Sequence, residues 1–316
     1  MTTLEFEKPL YDIQSKIDEL KQLSETSGVD MSKEIQNFEK QAENFKQELY
    51  ANLTPNEKIL IARHSDRPNF LEYMEMMATD FIELHGDRHG TDDRAIIGGI
   101  AQIGDEKVVV VGTQKGKNTK ENLVYNFGMP QPQGYMKALR LFYHANKFNL
   151  PIVTLIDTPG AYPGIKAEEI GQGVAIAENL REMSKLEVPV VAVITGEGCS
   201  GGALGLAVAN SVLMLEHAYY TVISPEGCAS ILFRDANLAS KAAEALKITS
   251  KDLLEFKLID GIVTEPLGGA HHNPQEMADN LKTAVLSEIK RLKKLSKEEL
   301  KNSRYEKFRK MGAFCS

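Results

Sequence analysis

Cysteine is scarce and unpatterned. Cys199, Cys228 and Cys315 are the three in 316 residues, and no CxxC spacing occurs. This gives no sign of a disulfide framework or a zinc site and fits a reducing compartment. Positive charge is also short. The formal net charge of −7 gives no reason to expect nucleic acid as a partner. No apolar run reaches membrane-spanning length, and the opening residues, Met1-Thr-Thr-Leu-Glu-Phe-Glu-Lys8, lack a signal-peptide pattern. A soluble cytoplasmic protein with no metal site of its own is expected. A hydrophobic content of 42% supplies a large core, and the length fits two domains or one with appendages.

What is present centres on residues 188–210. A β-branched run, Val190-Val-Ala-Val-Ile-Thr195, leads into Gly196-Glu-Gly-Cys-Ser-Gly-Gly202 and then a small-residue apolar segment. This reads as a strand buried on both faces, a tight glycine loop and a helix start. Glycines permit close backbone approach, and a first helical turn offers unpaired N–H groups to an anion or oxyanion. A close helix–sheet crossing without chemistry is the alternative. A second unit lies upstream. Ile152-Val-Thr-Leu-Ile156 runs into Asp157-Thr-Pro-Gly-Ala-Tyr-Pro-Gly164, and Ile170, Val174, Ala177, Leu180 and Met183 then recur at helical spacing. Two such units imply one site built from adjacent loops at strand ends.

The rest of the chain sorts by periodicity. Residues 1–54 read as a helical hairpin for assembly, with apolar stripes Leu10, Ile13, Ile17, Leu20 and Ile35, Phe38, Ala42, Phe45, Leu49. Thr54-Pro-Asn-Glu57 is a capping box that opens a domain over residues 55–296. Phe70, Tyr73, Met74, Met77 and Phe81 continue at helical spacing, and residues 85–94 are a titratable cluster read as a polar loop. Strands over 95–103 and 107–111 form a hairpin around Gly104. Lys115, Lys117 and Lys120 stand in a loop that is either a phosphate contact or solvated surface. Further strands fall at 212–215 and 219–223, and Asn273-Pro-Gln-Glu276 caps a long helix with stripe Met277, Leu281, Val285, Ile289 and Leu292. Residues 297–316 read as a charged, peripheral tail.

Two motifs mislead. Asp157-Thr-Pro-Gly160 has the form of a GTPase DxxG, but no GxxxxGK[ST] precedes it. Gly198-Cys-Ser200-Gly-Gly202 matches the GxSxG of serine hydrolases, with His217, His271 and His272 downstream as candidate bases. A subunit whose loops merely shape a partner's site is a third reading. No clear nucleophile, metal site or carboxylate pair accompanies the two glycine loops, which suits chemistry that mainly needs a stabilised oxyanion.

The chain resembles the α subunit of bacterial acetyl-CoA carboxylase carboxyltransferase along nearly its whole length. The resemblance is carried by Leu84-His-Gly-Asp-Arg88, Asn126-Phe-Gly-Met-Pro130, Gly134-Tyr135, Lys137-Ala-Leu-Arg140 and Ile156-Asp-Thr-Pro-Gly-Ala-Tyr-Pro-Gly164. Ser200-Gly-Gly-Ala-Leu204, residues 222–232 and Glu265-Pro-Leu-Gly-Gly-Ala-His271 complete it. Cys199 stands where the family commonly has glycine, and Ile170 where it has arginine. The resemblance implies an α/β crotonase-type spiral of ββα units, with the N-terminal hairpin and a C-terminal helix appended. It implies an α2β2 assembly whose β subunit carries zinc and most of the coenzyme A contacts. It also implies work alongside biotin carboxylase and biotin carboxyl carrier protein. The implied reaction moves the carboxyl group of carboxybiotin to acetyl-CoA, giving malonyl-CoA for fatty-acid synthesis. Joined to the loop reading, it assigns catalysis to backbone amides of Gly201, Gly202 and Ala203, with Gly160 and Ala161 opposite. Gly198, Ser200, Tyr162 and Gly164 would line the biotin side.

Overall fold

A computed structural model describes residues 4–312; Cys315 lies outside them. Eight strands form one sheet: β1 (Thr79–Glu83), β2 (Ile96–Ile103), β3 (Glu106–Thr113), β4 (Ile152–Thr158), β5 (Val190–Cys199), β6 (Ser211–Leu215), β7 (Tyr219–Thr221) and β8 (Gly261–Val263). The order is β1-β2-β3-β4-β5-β6-β8, with β7 also paired to β5. β1, β2 and β3 are antiparallel neighbours, and every pairing from β3 to β8 is parallel. Strand β5 serves two partners: residues 191–194 pair with β6, and residues 197–199 pair with β7. The sheet therefore divides along β5, the turn of the spiral.

The strands form where β-branched residues run together. Val108, Val109, Val110 and Val111 are fully buried, as are Val190, Val191, Val193 and Ile194, and burying each such side chain is worth about 1.5–3 kcal/mol. Helix Pro132–Phe148 covers the sheet with Tyr135, Ala138, Leu141, Phe142 and Ala145, and helix Pro274–Leu292 buries the stripe foreseen for it. Helices Lys8–Ser27 and Ser32–Ala51 form the N-terminal hairpin, seated by Ile17 and Tyr50. The Thr54 capping box is formed in full.

Four expectations change. Phe81 lies in β1, because the helix begun at Phe70 stops at Met77. The helix expected over 168–183 is two, Ile165–Ile170 and Gln172–Met183, broken at Gly171 with φ +99°. Consequently Ile170 and Val174 face outward, and Ala175, Asn179 and Met183 face the core. Gly196 and Gly198 belong to β5 rather than to a loop, since pairing with β7 extends the strand to Cys199.

The charged C-terminal stretch is not peripheral. It forms helix Lys297–Arg309, with Leu300 and Arg304 buried. The Arg304 guanidinium donates to the carbonyls of Met183, Leu186 and Val188 and to Asn210 Oδ1. Four acceptors in one place hold a cation that composition alone assigns to solvent.

Candidate functional site

Strands β4 and β5 run side by side with Ile152 opposite Val190 and Ile156 opposite Ile194, so they end together. After β4 the chain turns through Pro159, Gly160 and Ala161. After β5 it enters the short helix Ser200–Leu204. The two corners touch. A Cβ on Gly202 would stand 2.5 Å from both the Ala161 nitrogen and the Gly160 carbonyl carbon. No side chain fits there, which explains why glycine is required. Tyr135 Oη donates to the Gly202 carbonyl at 3.1 Å, and Asn179 Nδ2 donates to the Gly205 carbonyl at 3.1 Å, fixing this corner from below.

The amides of the upstream corner are not equivalent. Gly160 N–H donates to Thr158 Oγ1 at 3.1 Å, and Thr158 donates back to the Gly160 carbonyl at 2.8 Å. Tyr162 N–H donates to the Pro130 carbonyl at 2.9 Å. The Ala161 N–H between them has no acceptor among the described residues. Across the contact, Gly201 and Gly202 occupy the first turn of their helix, where amides have no intrahelical acceptor, and Cys199 provides no side-chain cap. Free donors thus gather at the contact of the two corners. Gly160 supplies the bend, at φ +141°, and not a free donor.

A buried polar seam underlies the corners. Lys115 Nζ donates to Asp157 Oδ1 and to Glu197 Oε1, both at 2.7 Å, so one ammonium ties the end of β4 to the end of β5. Asp157 Oδ1 also accepts the Glu197 N–H at 2.8 Å. Arg63 Nε reaches Glu197 Oε2 at 2.7 Å, Arg63 Nη1 reaches Glu226 at 2.6 Å, and Tyr219 Oη donates to Glu197. Burial pushes the Glu197 carboxyl up, but Lys115 and Arg63 outweigh it and hold the group at about 2. Beside this seam is a cavity of about 350 Å³ bounded by Arg63, Lys115, Lys117, Asp157, Pro159 and Glu197. Neither reading of the lysine loop survives for Lys115, which is an internal counter-ion. Lys117 pairs with Glu72 at 2.7 Å and donates to the Arg67 carbonyl.

The remaining candidates separate. Ser200 is exposed at φ +56°, the strained strand-to-helix position a nucleophile elbow uses. Its triad is not assembled. His217 is buried with its ring 6.0 Å from Tyr50, and His271 stacks on His64 at 4.1 Å. Gly198 is paired in β5 opposite Tyr220, and the Tyr162 ring lies over Gly164. Cys199 is buried, with Sγ donating to Tyr219 Oη at 3.8 Å, and burial followed by Glu197 pushes its thiol up to about 12. The loop at 85–94 is structural. Asp93 accepts from Ala95 and Gln131 N–H, Lys137 bridges Asp92 to the Asp93 carbonyl, and Arg140 gathers the Leu84 and Gly86 carbonyls. Sequence reasoning missed Arg63, Lys115, Asp157, Glu197 and Tyr219 as a group. The traces were an isolated carboxylate following each buried run and Lys115 in the lysine loop.

The family described as "Acetyl co-enzyme A carboxylase carboxyltransferase-like" matches residues 3–312. The acetyl-coenzyme A carboxylase carboxyl transferase subunit alpha of Thermus thermophilus is 55% identical over 312 residues, covering 99% of each chain. The protein of the same description from Prochlorococcus marinus NATL2A is 53% identical over 311 residues, covering 98% of this chain and 94% of the other. Among solved structures, transcarboxylase 12S superposes with a TM-score of 0.61 at 17% identity, over 75% of this chain and 44% of that one. The β subunit of Pseudomonas aeruginosa geranyl-CoA carboxylase gives 0.56 at 14% identity, over 75% and 45%. A Pseudomonas malonate decarboxylase hetero-tetramer in complex with coenzyme A gives 0.57 at 13% identity, over 68% and 86%. The spiral α/β fold is therefore that of the carboxyltransferases, and the chain belongs to the acetyl-coenzyme A carboxylase carboxyltransferase α-subunit family.

Proposed function

We propose that carboxyl transfer to acetyl-CoA, the activity of this family, takes place at the contact between the two glycine corners, and that these corners act through their main-chain amides. The observation that carries this is the Gly202–Ala161 contact. Two backbones meet with no side chain between them and with the Ala161 N–H free beside the first-turn amides of Gly201 and Gly202. Such a cradle fits an oxygen that gains negative charge during reaction, the case in which fixed donors contribute most.

Carboxybiotin on its carrier protein supplies the carboxyl group and, through its ring nitrogen, the acceptor for the methyl proton of acetyl-CoA. This chain then needs no side-chain base. Ala161, Gly201 and Gly202 N–H would hold the ureido oxygen while charge develops on it, and Ala203 would support the turn that aims them. Tyr135 and Thr158 keep the two corners in register from beneath. Ser200, Tyr162 and Gly164 would border the biotin side, with Ser200 as a contact and not a nucleophile, while Gly198, paired within β5, would not reach it.

The reading includes a partner. Ile165, Val174, Val222, Ile231 and Leu232 are exposed apolar side chains on segments following the β4 corner and β7. A zinc-bearing β subunit that brings coenzyme A would cover such surface, and the N-terminal hairpin would serve assembly into α2β2. Biotin carboxylase and the carrier protein complete the system. Cytoplasmic residence fits fatty-acid synthesis; among the described residues no helix is long and apolar enough to cross a membrane.

The test is reconstitution with the cognate β subunit and a malonyl-CoA decarboxylation assay using free biotin. Gly202→Val should lose transfer with the αβ complex intact. Full activity in that variant would overturn the assignment.

A further inference from the structure

One group of metal-ligating side chains lies away from this cradle, where the N-terminal hairpin meets the sheet domain. Glu7, His271 and His272 each offer a ligand atom, and the three atoms lie within 4.8 Å of one another. Glu7 sits in the single 3-10 turn before the first helix, and the histidines follow Gly269 and Ala270. Glu7 is 1% exposed and His271 4%, so these are not surface groups that meet by chance.

Two features separate the cluster from an ordinary ion pair. Among the described residues, His271 Nδ1 and His272 Nε2 are buried without hydrogen-bond partners, and a buried polar atom left unpaired costs about 1–3 kcal/mol. His272 Nε2 stands 3.8 Å from Glu7 Oε1. That is too far for a hydrogen bond. It is close to the separation of about 3.4 Å that two ligands adopt around a tetrahedral ion with bonds of about 2.0–2.2 Å.

The surroundings orient the ligands as a metal site requires. Tyr50 Oη donates to Glu7 Oε1, and Leu4 N–H donates to Oε2 at 3.2 Å. His64 stacks on the His271 ring at 4.1 Å. The two donors fix the carboxylate direction, and the stacked ring holds the plane of the His271 imidazole. A cavity of about 390 Å³ between the two hairpin helices, bounded by Tyr11, Gln14, Glu43, Lys46 and His272, gives a path from solvent.

We propose that Glu7, His271 and His272 bind a divalent cation of the zinc class, with one position left to water, and that the ion clasps the N-terminal hairpin to the sheet domain. Two imidazoles and one carboxylate form a donor set that zinc accepts, while calcium and magnesium prefer oxygen. The role is structural: one ligand comes from residue 7 and two from residues 271–272, so the bound ion closes a long loop of chain.

The test uses the full chain, freed of metal and titrated with zinc and with cobalt(II) alone, without the β subunit. One equivalent should bind, cobalt should show the visible absorption of a low-coordinate site, and zinc should raise the melting temperature. Glu7→Gln and His272→Asn should each weaken binding by more than the roughly 10–100-fold that loss of an outer-shell partner costs, and remove the thermal shift. Absence of stoichiometric binding, or equal affinity in the variants, overturns the proposal. Should a variant fail to fold, X-ray absorption on the zinc-loaded wild type decides: two imidazole ligands support the site, and a shell without imidazole overturns it. None of these readouts depends on the carboxyl-transfer assignment.

Discussion

A methyl group on Gly202 would stand 2.5 Å from the backbone nitrogen of Ala161. The neighbour is main chain at the bend of another strand, so it cannot step aside as a flexible side chain would. Gly202→Val should lower carboxyl transfer by about 10²–10³-fold, the usual effect of one lost oxyanion donor, with co-purification of the partner retained. Steady-state rates with free biotin, together with far-UV circular dichroism, check this.

Lys115 neutralises two carboxylates at once. Lys115→Met leaves Asp157 and Glu197 facing each other in a mostly buried seam, and removing one member of such a pair typically costs about 3–5 kcal/mol. Urea denaturation should show that loss. The double variant with Glu197→Gln should recover part of it, because one of the stranded charges is gone. An additive double variant would refute the coupling.

The same seam sets acid sensitivity. Glu197 is held at about 2, below its ordinary 4.5. As pH falls, the unfolded chain takes up the proton first. The contribution is therefore complete above about 4.5 and fades as pH drops toward 2. Unfolding free energies measured from pH 7 downward should fall through that window, and Glu197→Gln should show a shallower acid limb. An unchanged slope would count against the assignment.

Ser200 carries the elbow geometry but no assembled base. Ser200→Ala should keep carboxyl transfer within about threefold of wild type, a change of under 1 kcal/mol in barrier. A fluorophosphonate probe should leave the wild type unlabelled. Covalent labelling of Ser200 would revive hydrolase chemistry.

What the residues disclosed in advance was local. The β-branched runs at 108–111 and 190–194, the Thr54 and Asn273 caps and the stripe from Met277 to Leu292 are short-range patterns, and each stands as read. The two strand–glycine units were legible for the same reason. Lys115 was not, since its partners lie 42 and 82 residues away and periodicity carries no record of them. Val174 was assigned to the core because a helix drawn through Gly171 keeps its phase, and the break at that glycine rotates it outward. Pairing with β7 turned an apparent loop at Gly196 and Gly198 into strand. At the corners, glycine spacing pointed to the right backbone, but only the hydrogen bonds distinguish the engaged Gly160 amide from the free one of Ala161.

Arg304 grips the carbonyls that lead into β5 and the Asn210 side chain that precedes β6. The corner proposed as reactive hangs from the far end of β5. A change at Arg304 is therefore felt along the whole of β5, because the strand whose entry it secures is the one that carries the corner.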